Sequence, residues 1–283
     1  MSFIEMLAGA ERANRSLLCV GLDPDPSRFP GAMRGDASRI FDFCSRIVDA
    51  TRDLVIAFKP QIAYFAAHRA EDQLERLIAH IHGNAPGVPV ILDAKRGDIG
   101  PTAEHYAREV FDRYRADAVT LSPFLGFDSI EPYLRYPGKG AILLCRTSNP
   151  GGADLQEQRL ASGELLYEHI ARLAAGSWNR GGQLGLVVGA TYPAEMARVR
   201  ELAPTLPLLV PGFGAQGGEA AATVRAGWRG GPAKTTGAII VSSSRAVLYP
   251  ADAAEAGDFA AASRRVAVAA RDELAAARFA LDS

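Results

Sequence analysis

Short apolar runs recur along the chain, and longer segments of helical periodicity separate them. The runs occupy 17–20, 54–58, 88–92, 118–121, 141–145, 184–188, 206–210 and 238–241. They are near-continuous rather than alternating in polarity, the pattern of parallel strands covered on both faces. Helix-type patterns lie between them over 40–51, 70–82, 102–114, 163–179, 193–202 and 217–226. An alanine-rich stretch, 251–281, follows the last run and predicts closing helices packed on the outside. The runs are spaced on average by roughly thirty residues, the repeat of a strand–helix unit in an eight-fold barrel. The predicted fold is α/β, a single (β/α)8 TIM barrel forming one domain over 1–283. A doubly wound open sheet is the alternative arrangement of the same elements. No linker, low-complexity block or long charge run divides the chain.

In such a barrel, chemistry gathers at the C-terminal ends of the strands. Polar and charged residues stand at six of those ends. Run one leads into Asp23-Pro24, run two into Lys59-Pro60, and run three into Asp93-Ala94-Lys95-Arg96-Gly97-Asp98. Run five leads into Arg146-Thr147-Ser148-Asn149-Pro150, run seven into Pro211 and a glycine-rich loop, and run eight into Ser242-Ser243-Ser244-Arg245. Taken singly, Asp23-Pro24 is a common turn opener and Lys59 an edge lysine that reaches solvent. Together they converge on one rim.

Residues two apart on a strand share a face, so Asp93 and Lys95 point the same way. Asp98 follows past Gly97, where the chain can turn. The arrangement predicts a lysine between two carboxylates; surface ion pairs capping a strand end are the plainer alternative. Gly212-Phe213-Gly214-Ala215-Gln216-Gly217-Gly218 sits between run seven and a helix. Backbone N–H groups in such a loop can turn inward, and a helix N-terminus adds a positive end. Arg245 supplies a fork-shaped cation, so the two loops form a candidate phosphate site. A tight turn is the alternative reading of the glycines. The segment 148–163, with Pro150-Gly151-Gly152, is a candidate lid, or else a surface insertion.

Composition narrows the field. The chain is 48% hydrophobic and 22% charged, which predicts an ordinary globular core. Its formal net charge of −1 argues against a general nucleic-acid binder, while leaving room for a local anion site. No apolar run has the length of a membrane span, and 1–15 lacks the continuous apolar core of a secretion signal. Cys19, Cys44 and Cys145 have no metal-type spacing and predict buried, reduced thiols in a cytoplasmic protein. The five histidines form no metal cluster. His80 and His82, two apart on a helix, predict solvated surface.

These motifs resemble the orotidine 5′-phosphate decarboxylase family over essentially the whole chain. The resemblance rests on Asp93-Ala-Lys-Arg-Gly-Asp98, Lys59, Gly212-x-Gly-x-Gln-Gly-Gly218 and Arg245. The run Asp-Ala-Lys-Arg-Gly-Asp-Ile-Gly is similar to the longer bacterial form (type 2). The commoner form has bulkier residues where Ala94 and Gly97 stand, so the chain departs from it in the local loop. The resemblance implies decarboxylation of orotidine 5′-phosphate to uridine 5′-phosphate, the last step of de novo UMP synthesis, without metal or organic cofactor. It implies Lys95 as proton donor to C6 and Asp93 beside the departing carboxylate. Asp98 would cross a homodimer interface into the partner's site, with Thr102 reaching a ribose hydroxyl there. Asp23 and Lys59 would hold the ribose. Ser148 would read the pyrimidine edge, with Thr147 and Asn149 as adjacent alternatives. Gly214, Gln216 and Arg245 would meet the phosphate. Nucleic acid and membrane are not implied partners.

The chemistry suits those residue types. Losing CO2 leaves a ring carbanion with no adjacent carbonyl to delocalise it, so the protein must place positive charge where negative charge develops. Two other readings share the motifs. A metal-dependent sugar-phosphate decarboxylase or aldolase-like relative would carry an acidic residue on strand two, where Lys59 stands. A non-catalytic barrel that binds a phosphate ligand would have no need of the intact Asp93–Lys95–Asp98 set.

Overall fold

The computed structural model describes residues 1–213, 219–228, 239–251 and 258–282. All eight apolar runs form parallel strands: β1 Leu18–Leu22, β2 Ala57–Pro60, β3 Ile91–Arg96, β4 Ala118–Leu121, β5 Gly140–Arg146, β6 Leu184–Val188, β7 Leu208–Val210 and β8 Ile239–Ser243. They form one sheet in the order β2-β1-β8-β7-β6-β5-β4-β3. Two parallel bridges, Phe58 to Val90 and Gln61 to Asp93, bring the edge strands together. The result is a (β/α)8 barrel, and the open-sheet alternative falls. Strand β3 extends four residues past its apolar run, through Arg96, because backbone pairing continues where side chains turn polar at the mouth.

Helices cover the outside as the periodicity predicts. Ile40–Thr51 buries Phe43, Cys44, Ile47, Val48 and Thr51, a stripe at three- and four-residue spacing. Glu71–Asn84, Pro193–Leu202 and Ala220–Gly227 match their predicted segments closely. The segment predicted over 163–179 is helical only over Leu166–Ala175. The 102–114 segment divides into an α-helix, Gly100–Arg108, and a π-helical turn, Glu109–Arg113. That turn accompanies a two-pronged pair between Glu109 and Arg96 at the end of β3. The chain closes with Arg245–Leu248 and Phe259–Asp282.

One helix, Phe3–Asn14, lies outside the sequence reading. Ser2 and Glu5 form its capping box. Phe3 packs where a side chain on Gly140 would collide, so the helix sits at the start of β5. Arg278 pairs with buried Glu11 and ties this helix to the last one.

Asp117, just before β4, gathers the strand starts. It accepts from the Val90 N–H at 2.9 Å and meets His82 Nε2 at 3.0 Å and Lys139 Nζ at 3.4 Å. His80 meets Asp49 at 2.8 Å. The solvated surface predicted for these histidines is therefore corrected: each is half-buried and paired with a carboxylate on a neighbouring element. All three cysteines are buried and free. Among the described residues, no helix is long and apolar enough to cross a membrane.

Candidate active site

A cavity of about 420 Å³ opens at the C-terminal ends of the strands. Lys59, Asp93, Lys95 and Thr120 line one side, and Leu144, Val187, Leu209 and Pro211 form an apolar wall. The segment after β5 contributes Thr147, Ser148, Asn149, Leu155 and Gln156.

Asp93 is the hub. Its Oδ1 accepts from Lys95 Nζ at 2.6 Å and from the Thr120 hydroxyl at 2.8 Å. Its Oδ2 accepts from Lys59 Nζ at 3.1 Å. Asp93 and Lys59 are 7% and 5% exposed, so their attraction is little screened by water. Burial alone would raise the Asp93 pKa, but the two ammoniums and the Thr120 hydroxyl outweigh it and hold the carboxyl well below its usual range. Burial likewise disfavours the Lys59 ammonium, and the Asp93 and Asp23 carboxylates reverse that and push its pKa above the ordinary lysine value. Lys59 and Asp93 are therefore an ionised pair throughout the neutral range. Cys19 lies beside it, and burial pushes its thiol up to about 12, so it adds no charge.

Simple strand alternation does not bring Lys95 to Asp93. Between Leu92 and Arg96, four steps on β3 face two on β4, from Val119 to Leu121. Lys95 takes the left-handed conformation, φ 46°, inside this bulge. The N–H groups of Ala94 and Lys95, displaced from the ladder, both donate to Thr120 Oγ1 at 3.0 Å. The Lys95 side chain remains 48% exposed and faces the open cavity.

Asp98 departs from the expected pattern. Among the described residues of one chain it makes no ion pair with Lys95, so one carboxylate rather than two holds that ammonium. The chain turns at Gly97 against Ser122, and Asp98 Oδ1 accepts from the Ile99 N–H at 2.8 Å. Thr102 is exposed on the first turn of Gly100–Arg108. Asp23 follows β1; its Oδ1 is buried without a hydrogen-bond partner. Arg245 begins the helical turn after β8 and is exposed. Ser244 before it packs on Gly21, at a place a β-carbon would fill. Ser148 lines the cavity, and its backbone packs on Gly189 in the same way. Gly214 and Gln216 lie outside the described residues, as does most of the glycine-rich loop.

Three residues with no assigned role in the sequence reading shape the site. Thr120 looks like one more β-branched strand residue. Arg146 ends β5 with only 1% exposure, pairs with Glu157, donates to the Thr147 carbonyl at 3.1 Å and lies 3.7 Å over the Tyr192 ring. Gln156 bonds back to Thr147, its Oε1 accepting from the Thr147 N–H at 2.8 Å. Arg146 and Gln156 thus fasten the segment 147–157 beside the cavity. A charge closing an apolar run was the visible signal for Arg146; Thr120 had none. Among the described residues, no group of three or more His, Cys, Asp or Glu could hold a metal ion.

The fold and site define a class: (β/α)8 barrels with a Lys–Asp–Lys array centred on a buried aspartate at the strand ends. The family model "Orotidine 5′-phosphate decarboxylase / HUMPS family" matches residues 16–277, and the chain belongs to that family. It is 73% identical to the orotidine 5′-phosphate decarboxylase of Methylibium petroleiphilum, over 98% of this chain and 100% of that one. It is 72% identical to the enzyme of the same name from Polaromonas naphthalenivorans, over 98% and 97%. The solved structure of Leishmania donovani OMP decarboxylase superposes with a TM-score of 0.83 at 39% identity, covering 99% of each chain.

Proposed function

We propose that the chain, acting as one barrel domain, decarboxylates orotidine 5′-phosphate to uridine 5′-phosphate and CO2, closing pyrimidine nucleotide synthesis in the cytoplasm. The observation that carries this is the Lys59–Asp93–Lys95 array, with Lys59 and Asp93 buried and Lys95 reaching into a cavity whose facing wall is Leu144, Val187, Leu209 and Pro211. The C6–carboxylate bond breaks heterolytically, CO2 leaves, and the electron pair stays on C6. The Lys95 ammonium stabilises that pair and transfers a proton to it; the resulting neutral amine regains a proton from water. Asp93 holds Lys95 in place and stands near the departing carboxylate. No cofactor takes part in this sequence.

Remaining contacts follow from the groups on hand. The unpartnered Asp23 oxygen suits a ribose hydroxyl, together with Lys59. Ser148 reads the pyrimidine edge. Arg245, with Gly214 and Gln216, receives the phosphate. Asp98 and Thr102 serve the partner's site in a homodimer. Ile99, Phe124 and Leu125, exposed by 52%, 76% and 50% on the neighbouring loops, supply apolar area for that interface. Lys59 weighs against a metal-dependent relative, because its ammonium stands on Asp93 where a cation would be held.

The test is to follow the absorbance of orotidine 5′-phosphate with purified protein, before and after exhaustive chelation. Conversion to uridine 5′-phosphate that survives chelation is expected. Absence of conversion refutes the assignment, and strict metal dependence moves it to the metal-using relatives. Binding of uridine 5′-phosphate without turnover would instead indicate the non-catalytic barrel. Shared sites are tested by mixing Asp98→Ala with Lys95→Ala protein. Activity should return in heterodimers; none in verified heterodimers means each site is built from one chain.

A further inference from the structure

We propose that Thr120 is the positioning residue that sets where Lys95 delivers its proton, an inference that rests on the decarboxylase reading above. A hydroxyl has one hydrogen and two lone pairs. Here the Ala94 and Lys95 N–H groups, both at 3.0 Å, occupy the lone pairs of Thr120 Oγ1. Its hydrogen goes to Asp93 Oδ1 at 2.8 Å. All its hydrogen-bonding capacity is committed, and the residue is 1% exposed, so water does not compete for it.

Each bond fixes one coordinate of the reacting group. The two N–H bonds hold the β3 bulge closed and keep Lys95 in its left-handed conformation, which places its Cα. The bond to Asp93 Oδ1 orients the carboxylate so that the same oxygen meets Lys95 Nζ at 2.6 Å while Oδ2 turns to Lys59. Thr120 therefore acts at both ends of the Lys95 side chain, at its backbone root and at the carboxylate holding its tip. It is not itself the acid, since its only proton is already given to Asp93. When Lys95 has lost its proton and its grip on Asp93 weakens, Thr120 and Lys59 keep the carboxylate in register for the next cycle.

Thr120→Val keeps the shape and removes all three bonds, whereas Thr120→Ser keeps the hydroxyl. With wild type as control, kcat and KM for orotidine 5′-phosphate, the Kd of uridine 5′-phosphate and the melting temperature are measured for each. Thr120→Val should lose about 10- to 100-fold in kcat, the scale of a misplaced reacting group. Its Kd should stay near that of wild type, and Thr120→Ser should recover most of the loss. A purely packing role would instead leave kcat intact, or lower it equally in the serine variant; either result overturns the proposal. If Thr120→Val does not fold, Thr120→Ala carries the same expectation. A crystal structure of the variant is the readout that needs no turnover. Lys95 Nζ should move away from Asp93, and an unmoved Lys95 overturns the proposal. Failure of wild type itself to consume orotidine 5′-phosphate would refute the decarboxylase reading alone.

Discussion

Replacing Lys59 with methionine removes one ammonium and keeps much of the side chain's volume. The lost attraction to Asp93 at 3.1 Å is about 5 kcal/mol at an effective dielectric of ~20. Dehydrating the ammonium offsets part of this, and breaking one side of a buried pair costs about 3–5 kcal/mol in all. Lys95 still touches Asp93, but it is half-exposed and compensates weakly. A loss of about 3 kcal/mol is therefore expected. Its pH dependence carries the diagnosis. In the wild type the Asp93 pKa is depressed, so its contribution is present above the unfolded value, about 3.9, and is lost only as pH falls through the lower folded value. Without Lys59, burial weighs more, the folded pKa rises, and Asp93 takes up a proton at higher pH. The deficit of Lys59→Met should thus be largest near neutrality and narrow on mild acidification. Urea unfolding across that pH range measures it, with Lys59→Met/Asp93→Asn as a control that should remove most of the pH dependence. A deficit below about 1 kcal/mol, or one independent of pH, would refute the buried ionised pair.

Lys95→Ala should fold and bind uridine 5′-phosphate while losing on the order of a thousand-fold or more in turnover, as expected for a missing general acid; wild-type activity would remove Lys95 from the mechanism. Glu157→Gln should loosen the 147–157 segment from Arg146, costing about 1 kcal/mol of stability and raising KM several-fold. Hydrogen exchange in that segment should quicken, and unchanged exchange would argue against the fastening. Asp117→Ala should cost about 2–3 kcal/mol in chemical denaturation, because it strips a charged acceptor from the Val90 N–H, while kcat stays at the wild-type value. A fall in kcat would show that the two ends of the barrel are coupled.

The eight strands were legible because each is buried on both faces and so reads as an unbroken apolar run. Lys59, Asp93 and Lys95 were legible because charges stand out where such runs end. The helix Phe3–Asn14 was missed: it begins at a capping box rather than after a strand, and its pattern falls outside the alternating repeat. The approach of Lys95 to Asp93 was foreseen for the wrong reason. Alternation suggested it, whereas a bulge closed by Thr120 achieves it, and a bulge leaves no mark in hydrophobic pattern. The pairing of Asp98 with Lys95 was expected from proximity along the chain, but the turn at Gly97 lies between them. The histidines of Glu71–Asn84 looked solvated because their partners, Asp49 and Asp117, are 31 and 35 residues away in sequence.

The left-handed backbone at Lys95 sets activity and folding against each other. A residue with a β-carbon pays about 1–2 kcal/mol to sit there, and glycine would sit there freely. Stability alone does not call for a lysine there, so under the proposed mechanism its presence is a concession to turnover. Stabilising substitutions in this protein are better sought away from the β3 terminus, where relief of the backbone would come at the expense of the amine proposed to donate the proton.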